Sequence, residues 1–131
     1  MAKIKIAQNP TFKAPVMIPR IGEAPVKVEF EFKYMDRTAL AEMFGRWNTA
    51  RSDLNAKRID DGITWQEVTA SEIALQVEQI KDVVTGWSFD DKFTDEAVAE
   101  LVTTCVGTCV GAPQAVIDAY QSAYDPARLG N

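Results

Sequence analysis

The segment Lys27–Tyr34, KVEFEFKY, decides how the chain begins. Val28, Phe30, Phe32 and Tyr34 fall on one side of an extended backbone, and Lys27, Glu29, Glu31 and Lys33 on the other. A two-residue period of this kind marks a strand with one face against a core and one in water. A strand needs partners, and the preceding sequence offers them. APVMIP, residues 14–19, reads as a neighbour near a sheet edge, because Pro15 and Pro19 have no N–H to give to a ladder. KIKI, residues 3–6, reads as a further strand, and RIGEAP, residues 20–25, with Gly22 and Pro25, as the hairpin connection.

After residue 35 the period changes to that of helices. Leu40, Met43, Phe44 and Trp47 recur at i, i+3, i+4 and i+7, one face of a helix that Asp36 or Thr38 caps. Gly45 inside this pattern lowers helix propensity by about 1 kcal/mol. DDGIT, residues 60–64, predicts a turn. A second helix follows over Val68–Thr85 with Ile73, Val77, Ile80, Val84 and Trp87 as its stripe, and Gly86 as a left-handed stop. Thr94 predicts the cap of a third helix, whose first-turn acids Asp95 and Glu96 suit the positive end of the helix dipole. Its apolar face is Ala97, Val98, Leu101, Val102 and Cys105. A fourth helix spans Pro113–Tyr124, with proline at the first helical position and Val116, Tyr120 and Tyr124 every four residues. DPARLGN closes the chain as a frayed tail. The expected fold class is α+β: an N-terminal antiparallel hairpin or small sheet, then about four helices. All pack in one domain over residues 1–131, β-rich to about residue 35 and helical from 36 onward.

Composition agrees with one folded domain. A chain of 131 residues buries about two-thirds of its unfolded surface around a single core. Apolar residues make up 47% and charged residues 25%, ordinary for a globular protein. The apolar runs are far short of the roughly 18 residues of a membrane span, and the N-terminus lacks an apolar core of signal-peptide length. Both point to the cytoplasm. The net charge of −5 is uneven: residues 1–58 hold 11 Lys/Arg against 6 Asp/Glu, and residues 59–131 hold 3 against 13. Either two solvated faces differ, or the basic end of one copy meets the acidic end of the next. The basic residues are scattered rather than striped with aromatics, which argues against nucleic acid.

Catalytic chemistry finds little to work with. There is no histidine, so Ser-His-Asp and Cys-His catalysis are excluded within one chain. Cys105 and Cys109 are two thiols where a structural zinc site wants four ligands, and they read as small buried groups. The paired carboxylates Asp60/Asp61 and Asp90/Asp91 sit in turns beside helices, where acids serve as caps and solvent-facing groups. No phosphate-binding glycine loop is present. No cofactor or metal is expected.

One stretch invites a binding role. TGWSFDDKFTDEAVAELV, residues 85–102, sets Trp87, Phe89 and Phe93 among Asp90, Asp91, Asp95 and Glu96. Thr94, Asp95 and Glu96 have a structural use at the helix start. The aromatics either close a helix corner against the core or stand partly exposed as anchors for another protein. Trp87, Phe89, Phe93, Asp90 and Asp91 are therefore the candidate interface.

The whole pattern resembles a known family. The N-terminal β segment, TALAEMFGRW, the Gly86–Trp87 pair, the helix start from Phe93, and APQAVIDAYQSAYDPARLGN to Asn131 are similar to the tail assembly chaperones of lambda-like siphophages. The CVGTCVG segment departs from the shorter link expected between the last two helices. The resemblance implies a non-enzymatic assembly factor that binds the tape measure protein and keeps it soluble while tail-tube subunits polymerise. It also implies a programmed-frameshift longer form that recruits tube protein, homo-oligomers, no nucleic acid or membrane partner, and absence from the mature virion. A small head-tail connector of the virion is the alternative with the same size and α+β pattern.

Overall fold

The structure is a computed structural model that describes residues 4–59, 62–104 and 112–125. Strand β1 (Thr11–Arg20) and strand β2 (Glu23–Lys33) form the expected hairpin. Val28, Phe30 and Phe32 are buried while their odd-numbered neighbours face outward, as the alternation in KVEFEFKY requires. Tyr34 lies one residue beyond the strand and stays partly exposed. At the turn, Gly22 has φ 72, a left-handed conformation that glycine adopts without steric cost.

β1 is an edge strand, and its prolines blunt that edge. Tyr34 N–H donates to the Pro10 carbonyl at 2.9 Å, so the even-numbered residues of β1 exchange hydrogen bonds with β2. Pro15 and Pro19 turn their ring nitrogens to the free side, where an added strand would look for donors.

The third strand is not KIKI. Ile4 and Ile6 are fully exposed and outside any strand. Its place is taken by β3 (Val84–Trp87), paired antiparallel on the other side of β2. This corrects the second helix. Helix α2 runs over Trp65–Val83, and the chain passes directly from helix to strand at Val84. Gly86 is no left-handed stop, since its φ is not positive; it pairs with Glu31. A bulge at Thr85 makes the corner, with its hydroxyl donating to Glu31 Oε1 at 2.8 Å. The sheet thus reaches into the part of the chain expected to be helical.

Helices cover one face of this sheet. Helix α1 (Arg37–Ile59) is capped by Asp36, whose Oδ1 accepts from Ala39 N–H at 2.9 Å. Helix α3 (Asp95–Thr103) is capped by Thr94, which accepts from Ala97 N–H at 3.1 Å. Helix α4 (Ala112–Ser122) starts one residue before Pro113. The Cys105 and Cys109 expectation, and the tail from residue 126, lie outside the described residues.

The core forms between the sheet and these helices. Phe30, Phe32, Val16 and Val28 meet Ile80 and Val83 of α2, Val98 and Val102 of α3, and Val116 and Tyr120 of α4. This is two layers around one interior. Helix α4 is latched at its end by hydroxyls. Tyr120 Oη donates to the Lys33 carbonyl at 2.9 Å and lies 2.8 Å from Tyr124 Oη, which accepts from Met35 N–H at 3.0 Å. Because the Tyr120 proton is committed to Lys33, Tyr124 is the donor between the two phenols.

Candidate protein interface

The aromatic corner is built by β3 and the segment that leads to α3. Trp87 ends β3 opposite Phe30, with ring centroids 5.9 Å apart. Ser88 then locks the turn, its N–H donating to the Glu29 carbonyl and its hydroxyl accepting from Glu29 N–H, both at 2.9 Å. Phe89 and Phe93 pack edge-on to Trp87 with centroids at 5.1 and 4.9 Å. The indole N–H donates to the Asp91 carbonyl at 2.7 Å, which closes the loop on itself. All three rings are half-buried against the core, and Asp90 and Asp91 are exposed. The structure therefore brings the five candidate residues together in one corner, with the three rings half-buried and the two aspartates exposed.

A larger apolar exposure lies elsewhere, at the tip of the α1–α2 hairpin. Trp65 is 85% exposed and Ile59 83% exposed. Trp65, Ile63, Val68, Thr64 and Arg58 line a cavity of about 340 Å³ there. Thr64 caps α2 through Glu67 N–H at 3.1 Å, which makes Trp65 the first helical residue. Expecting the helix to start at Val68 left Trp65 unconsidered. Its signal was TWQE, a Thr followed three residues later by Glu, the sequence mark of a capping box.

A separate trough of about 440 Å³ lies along the two helices, lined by Trp47, Ala50 and Leu54 of α1 and Ser71, Ala74 and Leu75 of α2. Its inner end is closed by Asp82, which accepts from Trp47 Nε1 at 2.7 Å and from Arg46 at 3.4 Å. Beside the trough Glu72 holds both Arg51 and Arg58. The basic first half of the chain thus spends Arg46, Arg51 and Arg58 on acids of the second half, within one molecule. Among the described residues no group of acids and thiols could hold a metal ion, and no helix is long and apolar enough to cross a membrane.

A family model described as phage tail assembly chaperone matches residues 1–131, the whole chain. The chain belongs to the phage tail assembly chaperones. No curated protein and no solved structure matches it. The family is a non-enzymatic kind of protein whose partners are phage tail proteins. For a tail assembly chaperone the relevant chemistry is recognition, and the described residues leave Trp65 and Ile59 exposed at the hairpin tip while the aromatic corner is half-buried.

Proposed function

We propose that this protein binds the tape measure protein of its phage and holds it soluble while tail-tube subunits polymerise around it. The observation that carries this reading is the family match over the full chain. Physical argument supports it. A long helical protein with apolar stripes aggregates while it waits, and many copies of a small acidic domain, each covering a little surface, multiply modest affinities. Exposed Trp65 and Ile59 are contact groups of the required kind. The protein acts in the host cytoplasm and is absent from the finished particle. A longer frameshifted form recruits the tube protein, and copies associate along the tape measure.

Co-expression tests the reading: the tape measure protein stays in the supernatant with this chain and pellets without it. Mass spectrometry of purified virions separates it from a connector, which is present at stoichiometric levels where a chaperone is at most a trace. A monomer at every concentration and ionic strength removes the association between copies.

A further inference from the structure

This inference rests on the reading that copies of the chain associate, and it names the contact between them. We infer that residues 4–6 of one copy add as a fourth strand to the free edge of β3 in the next copy.

The segment lacks the partner that its pattern calls for. KIKI alternates charged and apolar residues as a strand does. Yet Ile4 is 99% exposed and Ile6 100% exposed, and neither lies in a strand. Lys5 between them carries no ion pair among the described residues. The free edge of its own molecule is out of reach. The Pro10 carbonyl is held by Tyr34 N–H, and Gln8 and Asn9 line a cavity with Ala123 and Tyr124, on the β1 side of the sheet. A strand beyond β3 lies three inter-strand steps from β1, about 14 Å. Ala7 alone is left to bridge that span, and one residue reaches about 3.5 Å.

β3 offers the matching edge. It is the last strand in the order β1-β2-β3, and the opposite edge is the one that Pro15 and Pro19 blunt. Ser88 N–H donates to the Glu29 carbonyl, so Trp87, opposite Phe30, exchanges no hydrogen bond with β2. Its N–H and C=O point to the free side, where an added strand pairs.

The faces and the charges also agree. Trp87 shares the helix side of the sheet with Phe30, and Gly86 shares the outer side with Glu31. With Lys5 abreast of Gly86, Ile4 and Ile6 fall on the helix side, against the half-buried Trp87. No atom lies within 4 Å of the place where a Cβ on Gly86 would stand. The open cavity there, about 270 Å³, is lined by Glu29, Glu31 and Ser88 with Lys13, and it receives the Lys5 amine. Asp90 and Asp91 follow in the exposed turn, so four carboxylates face Lys13 and Lys92. A basic arm complements that edge. Donor and acceptor are different surfaces, so the contact is head-to-tail and builds a row of copies rather than a closed pair.

The test compares the full chain with its Ile4→Asp, Ile6→Asp double variant. Both side chains are fully exposed, so the melting midpoint is unchanged. Sedimentation finds self-association of the variant shifted at least about tenfold to higher concentration. The variant keeps an intact β3, so a synthetic peptide of residues 1–8, MAKIKIAQ, binds it and moves the amide resonances of residues 85–88. An unaltered chain that is a monomer at every concentration overturns the parent reading. Self-association of the variant equal to that of the unaltered chain overturns this assignment alone. So does a peptide that moves no resonance, or moves only those of another surface.

Discussion

The Trp47 indole N–H donates to Asp82 Oδ2 across 2.7 Å, and this bond ties α1 to α2 at the inner end of their trough. Trp47 is 8% exposed, so its donor has little water to fall back on. Replacing Asp82 with alanine leaves it unpaired, at a cost of about 1–3 kcal/mol. Asp82→Asn keeps an acceptor in place and costs less. Urea unfolding of the two variants checks the order.

Tyr120 gives a pH dependence with a definite sign. Burial, and then the hydrogen bond and charge of Tyr124, push its ionisation well above the usual tyrosine range. In the unfolded chain the phenol titrates near about 10. Below that pH both states keep the proton and the contribution is complete. Above it the unfolded state loses protons that the folded state retains, so stability falls as pH rises. Tyr120→Phe removes this part of the alkaline slope. It also leaves the Lys33 carbonyl with only Tyr124 at 3.5 Å, a loss of about 1 kcal/mol at neutral pH. Melting midpoints between neutral and alkaline pH read both effects.

The two ion-pair environments predict unequal responses. Glu72, with 13% of its side chain exposed, anchors Arg51 and Arg58, and Glu72→Gln costs about 1–3 kcal/mol. Lys13 and Glu29 meet at 4.0 Å with more than half of each side chain in water, and Glu29→Gln stays within about 0.5 kcal/mol. Chemical denaturation of both variants at low and high salt checks the contrast.

Gly86 separates the observed corner from the expected one, and Gly22 of the hairpin turn is the comparison. Gly86→Ala is tolerated, because the residue is in a strand with φ not positive and no atom within 4 Å of an added Cβ. Gly22→Ala costs about 1 kcal/mol or more, because φ 72 is strained for alanine although space is open. Melting Gly86→Ala against the Gly22→Ala control tests whether the chain after α2 is strand or helix cap.

How much the sequence disclosed follows from the range of the interactions. KVEFEFKY carries its own period, and Thr94 and Asp36 act within three residues, so the hairpin and two helix starts were legible. VTGW was not. Four residues are too few to show a period, and Val84 and Trp87 happen to continue the apolar phase of α2. What makes them a strand is pairing with Phe32 and Phe30, more than 50 residues away in the chain. The β-branched Val84 and Thr85 beside Trp87 were the available hint. At the candidate interface the aromatic grouping of Trp87, Phe89 and Phe93 was readable, but their commitment to Phe30 and to the Asp91 carbonyl was not. Trp65 was missed because the helix was expected from Val68, although Thr64 and Glu67 in TWQE mark a capped start three residues earlier.

The most direct measurement of the central claim is light scattering as denatured tape measure protein is diluted into buffer with increasing amounts of this chain. The account predicts that scattering falls in proportion to the chain added and that the two proteins then co-elute. Scattering that is unchanged at every ratio contradicts it.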